Sequence, residues 1–424
     1  MTRALLEDLR WRNSIAQTTD IEALAQYLSG GSRTLYLGFD PTAPSLHIGN
    51  LVALTVLRRF QIAGHKPIAL VGGATGLVGD PSGRNSERSL NEVEVVNEWV
   101  ERIHHQLAGF LDFSGSNAAI MANNMDWTAP VSAIHFLRDI GKHFSVNQML
   151  SKDSVSARLE SGGISYTEFS YQVLQAFDYL ELNRRQDCHL QIGGSDQWGN
   201  IVAGVDLIRR VEGKSAHALT IPLLTKADGA KFGKTADGSI WLDPEMTSPY
   251  AFFQFFLNSD DRDVEPLLRT FSFKSHDELE VLFDSLKTNP GAREAHRALA
   301  REVTSLIHGA EQCEKVELAA KALFGQSEIR ELDEKTLESA LRELPRTTIQ
   351  RGSDFPSWVD LITAAGVVES KSAARRVVKE GGAYINNEKI SGEDHAPSQN
   401  DLLCGRFIVL RKGKRDLAAV ELIS

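Results

Sequence analysis

TLYLGFDPTAPSLHIGNLVALTVLRRFQIAG, residues 34–64, decides the architecture. Residues 34–39 are a short apolar run closed by a turn signal, which predicts a buried strand. Pro41 and Pro44 fix φ and remove donors, so residues 40–45 are neither helix nor inner strand. From Leu46 the apolar residues take helical spacing, at Leu51, Leu54, Val56, Leu57 and Phe60, and Gly64 marks the stop. Pro67 then opens a second apolar run, residues 68–71. Strand, loop, helix and strand make one βαβ unit, whose parallel strands put the loop at a ligand-binding edge. His47 and Asn50 stand three apart in the first turn, with Gly49 between them to let a flat ligand approach backbone. A helix N-terminus carries free N–H groups and partial positive charge, so this junction suits an anion. The alternative, that His47 and Asn50 only cap the helix, fits these four residues equally well.

Length, 424 residues, predicts two or three domains, and 42% hydrophobic content supplies a sizeable core. No apolar run is long enough to span a bilayer, and the N-terminal residues are an amphipathic mixed-charge segment without a signal peptide's apolar centre. Cys188, Cys313 and Cys404 are far apart, without a CxxC or a histidine cluster, so neither a disulfide framework nor a structural metal site is expected. The expected compartment is the cytoplasm. Net charge is −10, which argues against a general nucleic-acid coat. The charge is uneven: from Pro356 onward 10 Lys+Arg face 9 Asp+Glu, while the rest of the chain is strongly acidic.

Residues 5–30 read as helices. After the βαβ unit comes GGATGLVGDPSGR, residues 72–84, whose glycines permit tight turns and close backbone approach. It lacks the Lys-Ser/Thr ending of a Walker loop, but Asp80, Arg84 and Arg88 add charge at a strand's C-terminal end. Residues 91–113 and 131–160 have helical periodicity. The helix expected over residues 165–182 carries Tyr171, Gln175 and Asp178 at i, i+4 and i+7, a polar stripe on an otherwise apolar segment. A short strand at residues 190–192 leads into GGSDQWGN and another helix, and the strand–helix alternation predicts a doubly wound parallel sheet of Rossmann type. Residues 219–243 read as a strand, a Gly/Lys-rich mobile loop crowded by Lys226, Lys231 and Lys234, and a second short strand. Behind a nucleotide-type sheet, such lysines are candidate phosphate clamps.

From 248 to 325 the pattern is helical and rich in aromatics, residues 326–355 read as a charged linker, and residues 356–424 as a small α+β unit. Within that unit Lys371, Arg375 and Lys379 form one basic stripe along a helix, and Arg411, Lys412, Lys414 and Arg415 form a second cluster. Together they look like a grip on a phosphate backbone. There is no internal repeat and no low-complexity tract.

HIGN at 47–50, GGATGLVGDPSGR, QIGGSDQWGN and KFGKT at 231–235 occur in one chain, in an order and spacing that resemble the bacterial-type tyrosyl-tRNA synthetases, of the class I aminoacyl-tRNA synthetase family. The resemblance runs essentially end to end, and the last 69 residues resemble an S4-type RNA-binding module. It implies a catalytic domain over 1–247, a helical domain over 248–325 that binds the tRNA anticodon stem, a linker, and an S4-like domain over 356–424. The implied reaction joins the carboxylate of L-tyrosine to the α-phosphate of ATP, carried with Mg²⁺, and then transfers tyrosyl to the 3′-terminal adenosine of tRNA(Tyr). Such chemistry needs positioning and charge neutralisation more than acid–base groups.

By the same resemblance, His47, Asn50 and Thr42 would serve the nucleotide, and Lys231 and Lys234 would close over the leaving pyrophosphate with Thr235 helping. Gly38, Asp40, Gly194, Asp196 and Phe232 would complete the ATP site. Tyr36 and Asp178 would bond the substrate's phenol oxygen. Asp80, Tyr171 and Gln175 would hold its ammonium group, with Thr75, Asn124 and Gln197 lining the pocket. A homodimer is implied, and no membrane partner. Three departures stand out: Leu37 replaces a cysteine that faces the ribose in some relatives, Met125 replaces a tyrosine, and Asn50 replaces the second histidine of the usual HIGH box. Asparagine offers a donor of similar reach but cannot become cationic. Two other readings stay open: a tryptophan–tRNA ligase, whose relatives often carry HIGN, and an RNA-binding splicing factor on the same fold without catalysis.

Overall fold

Six strands make the first sheet: β1 (Gln17–Thr18), β2 (Thr34–Phe39), β3 (Lys66–Val71), β4 (Ile120–Asn123), β5 (Cys188–Gly194) and β6 (His217–Ile221). Their order is β1-β6-β5-β2-β3-β4, with β1 antiparallel to β6 and every other neighbour parallel. The computed structural model describes residues 2–82, 91–152, 155–156, 158–159, 163–230, 232–235, 238–342, 344–352 and 354–423. The chain winds from β2 through β3 to β4, then restarts on the other side of β2 with β5 and β6. That reversal between β2 and β5 is a topological switch point, where the strands' carboxyl ends open a crevice for ligands. β3 is a nearly continuous apolar run, and almost every residue of β3 and β6 is buried, as strands covered on both faces require.

The 34–64 stretch folds as read: β2, a proline turn, then the helix Ile48–Ile62 leading to β3. The helix Tyr166–Gln186 begins at the N-cap Ser165, ends at left-handed Asp187, and packs against the helix Trp198–Glu212. Two other segments differ from expectation. Residues 5–30 are two helices, Thr2–Trp11 and Ile21–Ser29, separated by the edge strand β1. Residues 131–160 are a series of short helical turns, from Ala133–His135 to Val146–Leu150, among the described residues. A hairpin follows β6, made of β7 (Lys234–Thr235) and β8 (Gly238–Ser239).

The chain divides into two compact units, residues 1–243 with 260–295, and residues 244–259 with 296–424. The helices of 248–325 are therefore shared: Asp261–Phe271 and His276–Thr288 belong to the first unit, Pro249–Leu257 and Ala310–Leu323 to the second. In the second unit five strands, β9 (Arg346–Gln350), β10 (Ala383–Ile385), β11 (Glu388–Lys389), β12 (Phe407–Lys412) and β13 (Asp416–Ile423), form a sheet in the order β11-β10-β12-β13-β9. Trp358, Ile362 and Ala374 from its two helices pack with Ile408, Leu410 and Val420. Residues 326–355, read as a linker, carry the helix Glu334–Leu341 and strand β9, which lies parallel along β13. β9 is an edge strand that buries only Ile349, so its sequence shows little hydrophobic signal.

Among the described residues no helix is long and apolar enough to cross a membrane, and no cluster of His, Cys, Asp and Glu could hold a metal ion. The three cysteines are free.

Candidate active site

The switch point gathers the polar stripe of the Tyr166–Gln186 helix with the ends of β2, β3 and β4. Asp178 is buried; its Oδ1 accepts from Trp127 Nε1 at 2.8 Å and its Oδ2 from Asn124 Nδ2 at 2.9 Å. Asn124 also donates to Thr75 Oγ1 at 2.9 Å and accepts from the Ala74 N–H at 2.7 Å. Thr75 donates to Asp40 Oδ1 at 2.7 Å, and the Tyr171 hydroxyl donates to Asp40 Oδ2 at 2.7 Å. One hydrogen-bonded chain thus runs from Trp127 through Asp178, Asn124, Thr75 and Asp40 to Tyr171. Gly72 permits it: a Cβ there would strike both Asp40 and Thr75. Beside it, Gln197 Nε2 donates to Asp80 Oδ2 at 2.6 Å, and Asn200 supports Gln197 at 3.2 Å.

Two polar atoms predicted to meet the substrate are buried without a hydrogen-bond partner among the described residues: the Tyr36 hydroxyl and Gln175 Oε1. Gln191 Oε1, which no motif argument singled out, is a third. Its residue lies in β5 directly across from Tyr36 in β2. An unpaired buried polar group costs about 1–3 kcal/mol, a cost that a ligand carrying the matching donor or acceptor removes. Burial, with the Asp178 carboxylate close by, holds the Tyr36 phenol well above the ordinary tyrosine range. Asp178 itself is pushed up to about 7 by burial, against the opposing pull of the Asn124 and Trp127 donors. Burial and the nearby Asp40 and Asp80 raise the Tyr171 phenol too. Asp40, Asp80 and Asp178 therefore make the crevice acidic, which suits an ammonium group.

At the helix start, His47 and Asn50 do cap the helix. His47 Nδ1 accepts from the Gly49 N–H and Asn50 Oδ1 accepts from the His47 N–H, both at 3.0 Å, a reciprocal capping box. The Ile48 N–H is bonded to Ile240 O at 3.0 Å. The first-turn donors are thus engaged, and the bare helix end is not the open anion site that the sequence suggested. What remains for a ligand comes from side chains. With Nδ1 accepting, the neutral imidazole carries its proton on Nε2, and with Oδ1 accepting, Asn50 presents N–H donors only.

Gly38, next to last in β2, has open space where a Cβ would stand, so the strand offers bare backbone there. Thr42 is exposed, its N–H turned back onto Asp40 O at 2.9 Å. Gly194 and Asp196 lie at the end of β5, where a Cβ on Gly194 would meet the Asp196 carboxylate. Phe232 is buried. Lys231, Arg84 and Arg88 lie outside the described residues, as do the side chains of Lys234 and Thr235, whose backbone forms β7. Trp127 escaped the sequence reading, although its place three residues after Asn124 was a usable signal. Lys152 escaped it too: its amine donates to Gly199 O at 2.6 Å, and burial pulls it down to about 8.

In the second unit, Lys371, Arg375 and Lys379 are all exposed along one helix face, opposite buried Ala374 and Val378. They are not bare: Lys371 meets Asp360 at 2.6 Å, and Arg375 and Lys379 share Glu393 at 3.4 and 3.3 Å. Arg411 lies over the Tyr384 ring at 3.8 Å and donates to Gly413 O, and Lys412 pairs with Asp416 at 2.9 Å. Lys414 and Arg415 are exposed.

Two family models match the chain: tRNA synthetases class I (W and Y), over residues 29–325, and the Tyrosine--tRNA ligase SYY-like C-terminal domain, over residues 336–420. The Tyrosine--tRNA ligase of Streptomyces avermitilis is 59% identical over 419 residues, covering 98% of each chain. That of Corynebacterium efficiens is 55% identical over 423 residues, covering 100% of each. Among solved structures, a C-terminally truncated mitochondrial tyrosyl-tRNA synthetase of Aspergillus nidulans superposes with a TM-score of 0.69 at 30% identity, covering 76% of this chain and 94% of that one. A tryptophanyl-tRNA synthetase of Encephalitozoon cuniculi shares the fold, with a TM-score of 0.53 at 13% identity over 78% of this chain and 89% of that one.

Proposed function

Because this chain belongs to the family of class I tRNA synthetases (W and Y), we propose that its crevice selects tyrosine and that the protein is a tyrosine–tRNA ligase. It activates L-tyrosine with ATP to tyrosyl-adenylate and pyrophosphate, then transfers tyrosyl to the 3′-terminal adenosine of tRNA(Tyr). The observation that carries the reading is the buried, unpaired Tyr36 hydroxyl near Asp178, a carboxylate already held by Trp127 and Asn124. A phenol both donates and accepts, so it can serve the carboxylate and the hydroxyl together; an indole N–H only donates. Phenylalanine would leave the Tyr36 hydroxyl unpaired and bring Asp178 no phenol donor, which is a strong ground for rejection.

Asp80, Tyr171 and Gln175 hold the ammonium group, with Thr75, Asn124 and Gln197 fixing that geometry through the hydrogen bonds described above. ATP enters as its magnesium complex over Gly38, Asp40, Gly194, Asp196 and Phe232. His47, Asn50 and Thr42 donate to the nucleotide, and Lys231, Lys234 and Thr235 neutralise the departing pyrophosphate. Removing one such transition-state donor typically costs about 3 kcal/mol. The carboxylate of tyrosine attacks the α-phosphorus, the bond to pyrophosphate breaks, and the ribose hydroxyl of the tRNA end later displaces AMP from the acyl group. The helical region of 248–325 and the basic stripes Lys371–Arg375–Lys379 and Arg411–Lys412–Lys414–Arg415 take the RNA. Cytoplasm is the fitting compartment for this substrate set and three free cysteines.

A homodimer is part of the proposal. Ile134, Leu137 and Val146 are 73%, 52% and 58% exposed in the segment leading to the substrate-binding helix, and Tyr166, its first residue, is 71% exposed. Apolar side chains concentrated in this way mark an association surface, and the occupant we assign is a second copy of the chain. Leu137→Glu should shift sedimentation to the monomer; unchanged sedimentation would remove this segment from the interface.

Pyrophosphate exchange into ATP tests the central reading. Exchange driven by tyrosine but by neither tryptophan nor phenylalanine is the expected result. Exchange with tryptophan alone would overturn the amino-acid assignment, and no exchange with any of the three would overturn the activity.

A further inference from the structure

Helix Val93–Phe110 carries no signature motif, yet its Gln106 reaches into the turn that presents His47. Gln106 Oε1 accepts from the N–H of Leu46, the residue before His47, at 2.9 Å. Gln106 Nε2 donates to Ser45 Oγ at 2.9 Å. Buried Ser45 Oγ also accepts from the Asp243 N–H at 3.1 Å and donates to Leu46 O at 2.7 Å. Leu46 O accepts a further bond from the Leu242 N–H at 2.9 Å, and the Ile48 N–H donates to Ile240 O at 3.0 Å. Residues 45–48 and 240–243 are therefore laced together on both sides of His47, which itself bridges to Trp241. Residue 240 also reaches the KFGKT segment, through a bond from its N–H to Gly233 O at 3.0 Å.

We propose that Gln106 is a positioning residue for ATP: with Ser45 it clasps the HIGN turn to residues 240–243, which follow β8, and so sets the two nucleotide motifs in register. The inference rests on the reading that those motifs hold ATP. The chemistry of the side chain fits the task. An amide supplies one acceptor and one donor on a single rigid plane, and here both ends are used. Its backbone is anchored by Ile103, Leu107 and Phe110, which are buried on the same helix. A helix-borne group of this kind holds a loop more tightly than another loop could. The clasp bonds and those around Asp178 named above share no residue, so loss of the clasp should be felt by one substrate and not the other.

Gln106→Ala should lower kcat/KM for ATP in pyrophosphate exchange about tenfold, the scale of losing one to two hydrogen bonds. Equilibrium tyrosine binding and tyrosyl transfer from preformed adenylate should stay within about twofold of wild type. Gln106→Glu keeps the acceptor for Leu46 and should recover most of the loss. Adding Ser45→Ala to Gln106→Ala should cost little more than either alone, because the two groups act as one network. Amides of residues 240–243 should exchange with deuterium faster in Gln106→Ala, whatever the activity. Parallel loss of tyrosine binding and thermal stability would make Gln106 merely structural. Wild-type ATP kinetics with unchanged deuterium exchange would overturn the clasp. Absence of exchange activity in the wild type would instead overturn the ligase reading, and the deuterium measurement would still decide the clasp.

Discussion

On the proposed reading, the Asn50 side chain would hold two roles. Its oxygen is committed to the His47 N–H, which leaves its amide hydrogens for a ligand. Asn50→Ala removes both and should cost about 1 kcal/mol of stability for the lost cap, together with most of the exchange activity. Asn50→Asp keeps the cap and deletes the donors, so its melting temperature should match wild type while exchange falls about a hundredfold, the effect of removing one transition-state donor. An Asn50→Asp enzyme with full activity would reduce Asn50 to a cap. Asp178 makes a different prediction, in pH. Its pKa rises from an ordinary 3.8 to about 7 on burial, so the fold favours the neutral form. Its contribution to stability is complete below about pH 4 and is lost as pH rises through about 7. Tyrosine binding runs the other way, because the ionised carboxylate is the better acceptor for the phenol. Calorimetric titration of tyrosine should show affinity climbing between pH 6 and about 8 and levelling above it. A flat profile would mean that the carboxylate stays charged throughout.

A glycine stands just before the hairpin β7–β8. Gly233 holds φ +81, and a Cβ there would press into the Ile48 side chain. Gly233→Ala therefore combines backbone strain of about 1–2 kcal/mol with a clash against the HIGN helix. Pyrophosphate exchange should fall while tyrosine affinity holds. Equal loss of both would show that the hairpin supports the amino-acid pocket as well. The βαβ element was legible in the sequence because proline, helical spacing and glycine each act locally. The state of its helix end was not, since Ile240 reaches Ile48 from a segment nearly two hundred residues away and occupies the donor.

The second compact unit alters where the chain can be cut. Strand β9 belongs to the sheet that β13 completes, and the helix Glu334–Leu341 buries Leu337, Ala340 and Leu341. A chain ending at residue 342 should keep adenylate formation within about twofold and lose at least tenfold in tRNA charging, since the basic stripes that would grip phosphates are gone. One ending at residue 355 keeps β9 without its partner, an unpaired edge that should promote self-association in light scattering. Comparable loss of adenylate formation and charging in the shorter chain would show that the deleted part supports catalysis.

Local chemistry wrote much of this protein into its sequence. Alternating strand and helix signals specified the doubly wound sheet, and ordered motifs specified the family, because both depend on residues close together in the chain. Tertiary structure alone decided three matters. It bonded Trp127 and Asn124 to Asp178 and left the Tyr36 hydroxyl unpaired beside them, which depends on the ends of β4 and β2 meeting one helix. It turned an apparent linker into strand β9, whose partner lies some seventy residues later. Finally, it closed Asn50 onto His47 as a cap, because the HIGN turn is held by a strand and a helix distant in sequence, and hydrogen bonds between such segments leave no periodic trace in either.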